Sequence, residues 1–174
     1  MSDCDLQSDL LGRAGRAVAG VVDPEMPMLT LADLGVVREV REDGDSVTVT
    51  ITPTYSGCPA IAEMRSDLHH ALVAAGFRRV DVRTVYAPAW STDWISAEGR
   101  RKLADSGIAP PAHVGPRPSG PVPLILDAPP ARDVRCPRCG ESSTEELSRF
   151  GPTACTALRR CPSCREPFEH VRPL

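Results

Sequence analysis

Large rings are scarce in this chain: two Trp, two Tyr and three Phe among 174 residues, or 4%. A core must therefore rest on Val, Leu, Ile and Ala. Long apolar runs are missing too, and none approaches the roughly 20 residues that a membrane helix needs. The opening stretch "MSDCDLQSDLLGRAGRAVAG" (Met1 to Gly20) starts acidic and lacks a sustained apolar segment, which argues against a secretory signal. Charge of one sign is not in strong excess. A net charge of −3 gives no electrostatic reason to expect nucleic acid or an acidic membrane as a partner. Glu-x-x-His pairs at helical spacing are absent, as is a glycine-rich dinucleotide fingerprint. A di-iron carboxylate centre or a nucleotide-dependent catalyst is thus not expected, and the chain reads as a cytoplasmic globular protein.

Cysteine, by contrast, is plentiful. Seven are present: Cys4, Cys58, Cys136, Cys139, Cys155, Cys161 and Cys164. An odd number, crowded towards one end and without a secretory signal, favours metal binding or thiol chemistry over a disulfide framework.

Proline divides the chain. The stretch "GIAPPAHVGPRPSGPVPLILDAPPAR" (Gly107 to Arg132) holds eight of the 18 prolines. Such a segment neither continues a helix nor fills a central strand, so it reads as a semi-rigid linker. The expected organisation is a domain over 1–108, a linker over 109–132 and a small cysteine-rich domain over 133–174. In the first domain, Leu6, Leu10, Ala14 and Val18 recur at helical spacing. "DPEMP" (Asp23 to Pro27) is a turn. "LGVVREV" (Leu34 to Val40) predicts a strand, "REDGD" (Arg41 to Asp45) a hairpin turn, and the alternating "SVTVTIT" (Ser46 to Thr52) a half-buried antiparallel strand. Ile61, Met64, Leu68, Ala71, Leu72 and Ala75 then predict a helix stopped by Gly76. "RVDVRTVY" (Arg79 to Tyr86) predicts a strand and "SAEGRRKLADSG" (Ser96 to Gly107) a last helix. The order helix, strand, strand, helix, strand, helix implies an α+β fold with helices on a small sheet.

Cys58 stands alone in "TPTYSGCPA" (Thr52 to Ala60). Pro59 suits the first position of a helix, which puts Cys58 at or next to its N-cap. Unpaired amides and the positive end of the helix dipole would favour a thiolate there, with Gly57 permitting a tight turn. A small apolar residue packed under a turn is the competing reading. His69 and His70 are adjacent on the same helix and face different sides, so they form no paired metal site.

The tail carries two C-x-x-C knuckles, "CPRCG" (Cys136 to Gly140) and "CPSC" (Cys161 to Cys164), about twenty residues apart. Four thiolates on facing turns match tetrahedral zinc, and a domain this small needs a metal to fold. The expectation is a zinc-ribbon-like β domain with Cys136, Cys139, Cys161 and Cys164 as ligands. Iron in the same four-thiolate site is not excluded by spacing. Cys155 is surplus to a ribbon: it is either a buried small residue, an alternative ligand or a second reactive thiol. From Ala131 onward eight Arg face six acids, and a zinc tetrathiolate subtracts two charges, leaving the tail near neutral. That is a poor footprint for nucleic acid. A thiol–disulfide oxidoreductase would need its C-x-x-C to open a helix after a strand.

The motifs "DPEMP", "DLGVVREV", "ITPTYSGCPA" and "APAW" together resemble the SufT/MIP-type family of iron–sulfur assembly proteins, over roughly residues 5 to 110. With "PAWSTDWI" (Pro88 to Ile95), "CPRCG" and "SRFGPTACTALRRCPSCREPFEH" (Ser148 to His170), the chain more narrowly resembles the PaaD type. That type is the accessory component of the bacterial phenylacetyl-CoA oxygenase (epoxidase) system. The resemblance implies that Cys58 is the functional thiol, a transient ligand for iron or an iron–sulfur cluster or an acceptor of sulfur. It also implies that Asp23 and Glu25 lie nearby, as ligands or as groups that orient the thiol; a turn-forming Asp23 and a solvated Glu25 are the plainer readings. Trp90 and Trp94 are core, a lid, or a surface for partners. The implied partners are oxygenase components, the reductase foremost, with a homodimer sharing a cluster through two copies of Cys58 left open. The implied function is maturation of a metal centre rather than catalysis. The alternative is a non-catalytic structural or docking subunit of the oxygenase.

Overall fold

The computed structural model describes residues 12–115 and 133–174. Cys4, the Leu6 and Leu10 part of the first helical pattern, and residues 116–132 of the expected linker lie outside the described residues. Two compact units divide the chain between Lys102 and Leu103.

The first unit contains helix α1 (Arg13–Ala19), strands β1 (Val37–Asp43) and β2 (Ser46–Ile51), helix α2 (Ile61–Ala74) and strand β3 (Arg79–Thr84). A one-turn 3-10 helix (Thr92–Trp94) follows, and then helix α3 (Ala97–Asp105). β1 and β2 form the expected hairpin, with Asp43 paired to Ser46. β3 then pairs with β2 in parallel through α2, so the sheet order is β1-β2-β3. The alternation read from the sequence sets the faces: Val47, Val49 and Ile51 are buried, as is Val82, whereas Arg79, Asp81 and Arg83 are exposed. α2 turns Met64, Leu68 and Leu72 into this core and packs on β3. It ends in a Schellman arrangement, Gly76 N–H donating to Val73 O (2.9 Å) and Phe77 N–H to Leu72 O (3.2 Å). α1 has no side-chain cap of its own; the Glu42 carboxylate of β1 accepts from the Ala14 N–H at 3.1 Å instead.

The second unit is a four-stranded sheet in the order β4-β7-β6-β5, from β4 (Ile108–Ala109), β5 (Glu145–Ser148), β6 (Thr156–Arg160) and β7 (Pro167–Val171). β5, β6 and β7 are antiparallel neighbours, and β4 runs parallel to β7. The division at Leu103 falls inside α3, so the last residues of that helix belong to the second unit with β4. Ile108 and Ala109 are strand residues because their backbone pairs with Glu169 and His170, far along the chain. The core of the ribbon is small: Ala109, Val134, Cys136, Cys161 and Phe168, with Cys164 packed against it. No helix among the described residues is long and apolar enough to cross a membrane.

Candidate metal centre and thiol site

The two knuckles are built alike. In the first, Cys136 N–H donates to Glu141 O (2.8 Å) and Gly140 N–H donates to Cys136 O (2.9 Å). In the second, Cys161 N–H donates to Glu166 O (3.1 Å) and Arg165 N–H donates to Cys161 O (2.9 Å). Gly140 and Arg165 occupy equivalent places and share the left-handed backbone, with φ of 76° and 66°. An arginine there bears a cost of about 1 kcal/mol that glycine avoids. The second knuckle is also the turn between β6 and β7, so strand pairing fixes its position against the first.

The result is a cluster whose four sulfurs all lie within 4.8 Å of one another. Cys136 and Cys164 approach to 3.8 Å and Cys139 and Cys161 to 3.5 Å. A regular tetrahedron with metal–sulfur bonds of about 2.3 Å has edges of about 3.8 Å. The donor set fits zinc in both chemistry and spacing. Protonated, the thiols crowd one another. The backbone N–H of Cys164 and neighbouring thiols lower Cys161 to about 7. Although the Glu141 N–H lowers Cys139, the adjacent thiols outweigh it and raise Cys139 to about 12. A divalent cation removes that conflict by favouring all four thiolates. Cys139 is the exposed member; Cys136 and Cys161 are buried and Cys164 half-buried. Cys155 lies outside this group: it is buried, 3.2 Å from the Thr153 hydroxyl, and its carbonyl accepts from the Arg172 N–H at 2.9 Å.

Cys58 is buried, at 6% exposure, in the loop that joins β2 to α2. The helix opens later than Pro59 suggests. Ala60 is the N-cap, and Cys58 stands two residues before it in a turn closed by Cys58 N–H to Tyr55 O (3.3 Å) and Ile61 N–H to Cys58 O (3.4 Å). The thiol is thus outside the first helical turn, where the dipole acts most strongly. Gly57 is not required by its backbone or by space, since a methyl group there would make ordinary contact with the Tyr55 ring at 3.7 Å.

Asp23 is buried and holds the "DPEMP" turn together: its Oδ1 accepts from the N–H groups of Glu25 (2.9 Å) and Met26 (2.7 Å). Burial raises its pKa against the opposing effect of those two bonds. Glu25 is exposed, and desolvation and the Asp23 charge raise its pKa. Cys58, Asp23 and Glu25 do not form a group of three close metal-binding side chains; among the described residues the four-cysteine set alone does.

Of the readings open for Trp90, its surroundings match the core one. It is buried, with its indole N–H on Leu34 O at 2.9 Å, and so is core rather than a surface for partners. Trp94 is half-buried beneath the Arg38 guanidinium, 3.7 Å from the ring centroid. The Trp90 indole and the backbone and Cβ of Trp94 lie against the "DLG" turn (Asp33 to Gly35). Gly35 has φ 67°, and a methyl group there would lie 2.5 Å from the Trp94 carbonyl oxygen. Asp33 accepts from the Thr30 N–H (3.0 Å) and pairs with Lys102 Nζ (2.7 Å). Desolvation would raise this carboxyl, but Lys102 and Thr30 hold it below its ordinary value. His69 and His70 are exposed on α2.

Two buried ionisable side chains of the ribbon carry no signal in the local sequence. Arg159 donates to Thr144 O (2.7 Å) and to its hydroxyl (3.0 Å). His170 is 5% exposed with Nε2 unpartnered, and burial, then the Arg159 charge, lowers it to about 4. Only the strand pattern, which turns both inward with Phe168, could have flagged them.

Comparisons with known proteins match two separate stretches of the chain. The family described as "Iron-sulfur cluster assembly protein" matches residues 15–84, and the family described as "PaaD zinc beta ribbon domain" matches 124–172. A protein of Escherichia coli K12, named as a subunit of 1,2-phenylacetyl-CoA epoxidase, is 43% identical over 152 residues, covering 87% of this chain and 86% of that protein. Among solved structures, a domain of unknown function from Bacillus anthracis is 26% identical, covering 56% of this chain and 92% of that one at TM-score 0.49. A conserved hypothetical protein from Thermotoga maritima is 28% identical, covering 59% and 94% at TM-score 0.44.

Proposed function

The chain belongs to the PaaD family, which includes that epoxidase subunit of Escherichia coli, and on that premise we propose that it is a non-catalytic cytoplasmic accessory protein that brings iron, or an iron–sulfur cluster, to a component of a phenylacetyl-CoA epoxidase system. The observation that carries this reading is Cys58. It lies in the stretch matched by the iron–sulfur assembly family, at the turn into α2, and outside any close group of three metal-binding side chains among the described residues. With fewer than three close protein ligands there among the described residues, cargo held at Cys58 exchanges readily. Lability suits delivery and not storage.

The zinc ribbon serves this reading as a second folded module. Its metal, where bound, holds Cys136, Cys139, Cys161 and Cys164 as thiolates and supplies folding free energy. The client we favour is the reductase, whose electron transfer calls for iron–sulfur chemistry, and Asp23 shapes the "DPEMP" turn of the same unit.

The test is iron, acid-labile sulfide and zinc content with an optical spectrum, on anaerobically purified protein and its Cys58→Ala variant. Transfer to apo-reductase is then measured for both. About one zinc in both proteins, with iron and transfer confined to the wild type, is the expected result. Equal iron content and equal transfer by the variant would overturn the reading. Zinc alone in both, with no effect on reductase activation, would leave the docking subunit as the better description.

A further inference from the structure

The four-cysteine site is unevenly protected. Cys139 is exposed, its sulfur lies 3.5 Å from that of Cys161 on the other knuckle, and Cys161 is buried. Cys58 and Cys155 are also buried. Thiolate character and exposure together decide which cysteine a peroxide reaches first. Metal binding makes all four members of the site thiolates, so exposure discriminates among them. From this geometry we infer that the ribbon's metal site is a peroxide-sensitive switch, in which Cys139 is the attacking thiolate, Cys161 the resolving one, and metal release the outcome.

The chemistry balances as follows. The Cys139 sulfur attacks one oxygen of hydrogen peroxide, the O–O bond breaks, and hydroxide leaves; Cys139 becomes a sulfenic acid. The Cys161 thiolate then attacks the Cys139 sulfur, an S–S bond forms, and a second hydroxide leaves. Two thiolates have lost two electrons in all, peroxide has gained them, and two protons convert the two hydroxides to water. To reach the disulfide length of about 2.05 Å from 3.5 Å, the sulfurs move about 1.5 Å. Cys136 and Cys164 are left as two ligands, too few for the tetrahedral set. Because the sheet joins both knuckles, the new bond crosses between them rather than closing one C-x-x-C. This inference is independent of the role given to Cys58.

The experiment uses the full chain loaded with zinc. Hydrogen peroxide is added in slight molar excess under exclusion of iron, zinc release is followed with a chromogenic chelator, and disulfides are mapped by mass spectrometry after alkylation. The expected result is one zinc released in step with a Cys139–Cys161 bond, and recovery on adding a dithiol reductant with zinc. Cys139→Ser should slow peroxide-driven release at least tenfold, whereas Cys155→Ser should not change it. Should Cys139→Ser fail to hold zinc, the wild-type map alone still decides. A first disulfide within one knuckle, first oxidation at Cys58 or Cys155, or release only after irreversible oxidation would each overturn the inference.

Discussion

Two glycines of the first unit share a backbone conformation and differ in surroundings, which lets one contact be weighed by itself. Gly35 has φ 67° and Gly44 φ 57°. An alanine at either place meets the left-handed penalty of about 1 kcal/mol, partly offset by the entropy it removes from the unfolded chain. At Gly44 nothing lies within 4 Å of the added methyl group, so Gly44→Ala should cost about 1 kcal/mol at most. At Gly35 the methyl group would fall 2.5 Å from the Trp94 carbonyl oxygen and 2.7 Å from its Cβ. Relief requires the "DLG" turn and the Trp94 backbone to separate, adding about 1–3 kcal/mol. The same movement strains the bond from the Trp90 indole to Leu34 O, itself worth about 1 kcal/mol. Gly35→Ala should therefore cost about 3 kcal/mol. With a urea slope of about 2 kcal/mol/M, the midpoint falls by about 1.5 M, against about 0.5 M or less for Gly44→Ala. Tryptophan fluorescence is the assay, since both tryptophans of the chain, Trp90 and Trp94, lie in the first unit. Equal shifts for the two variants would refute the claim that "DLG" is a packing junction.

Asp33→Asn should cost about 2 kcal/mol at pH 7 by urea denaturation, through loss of the charge-assisted bond from Lys102. Because the folded carboxyl lies below its ordinary 3.8, the wild-type advantage should be complete above that value and vanish as pH falls below it. His170 behaves in the opposite chemical sense with the same direction in pH. A base lowered from 6.5 to about 4 contributes stability that is complete above 6.5 and is lost as pH falls towards 4. Between pH 7 and 5 the ribbon should lose about 2 kcal/mol that His170→Phe does not, read by guanidinium denaturation of the two zinc-loaded proteins. Stripping the metal with a strong chelator should abolish hydrogen-exchange protection of β5, β6 and β7, because their shared apolar core is too small to hold them. Retained protection would mean that the sheet folds without metal.

Sequence spacing announces what local rules control. The three- and four-residue recurrence over Ile61 to Ala75 with Gly76 yields α2, and alternation over Ser46 to Thr52 yields β2 and its buried face. The metal ligands are legible for the same reason: a C-x-x-C knuckle brings its own turn, and two of them specify the donor set before any fold is known. What depends on distant partners is silent. Pairing of Ile108 and Ala109 with β7 spans some sixty residues and is hidden inside proline-rich composition. The Asp33–Lys102 bond joins positions 69 apart, and the burial of Trp90 needs the carbonyl of Leu34, 56 positions away. Cys58 stands between these cases. Its neighbours Pro59 and Ala60 predict a helix start, and the structure sets that start two residues later, because the Cys58 carbonyl is already engaged by the Ile61 N–H in a preceding turn. A thiol so placed gains less from the helix dipole than its sequence position promises.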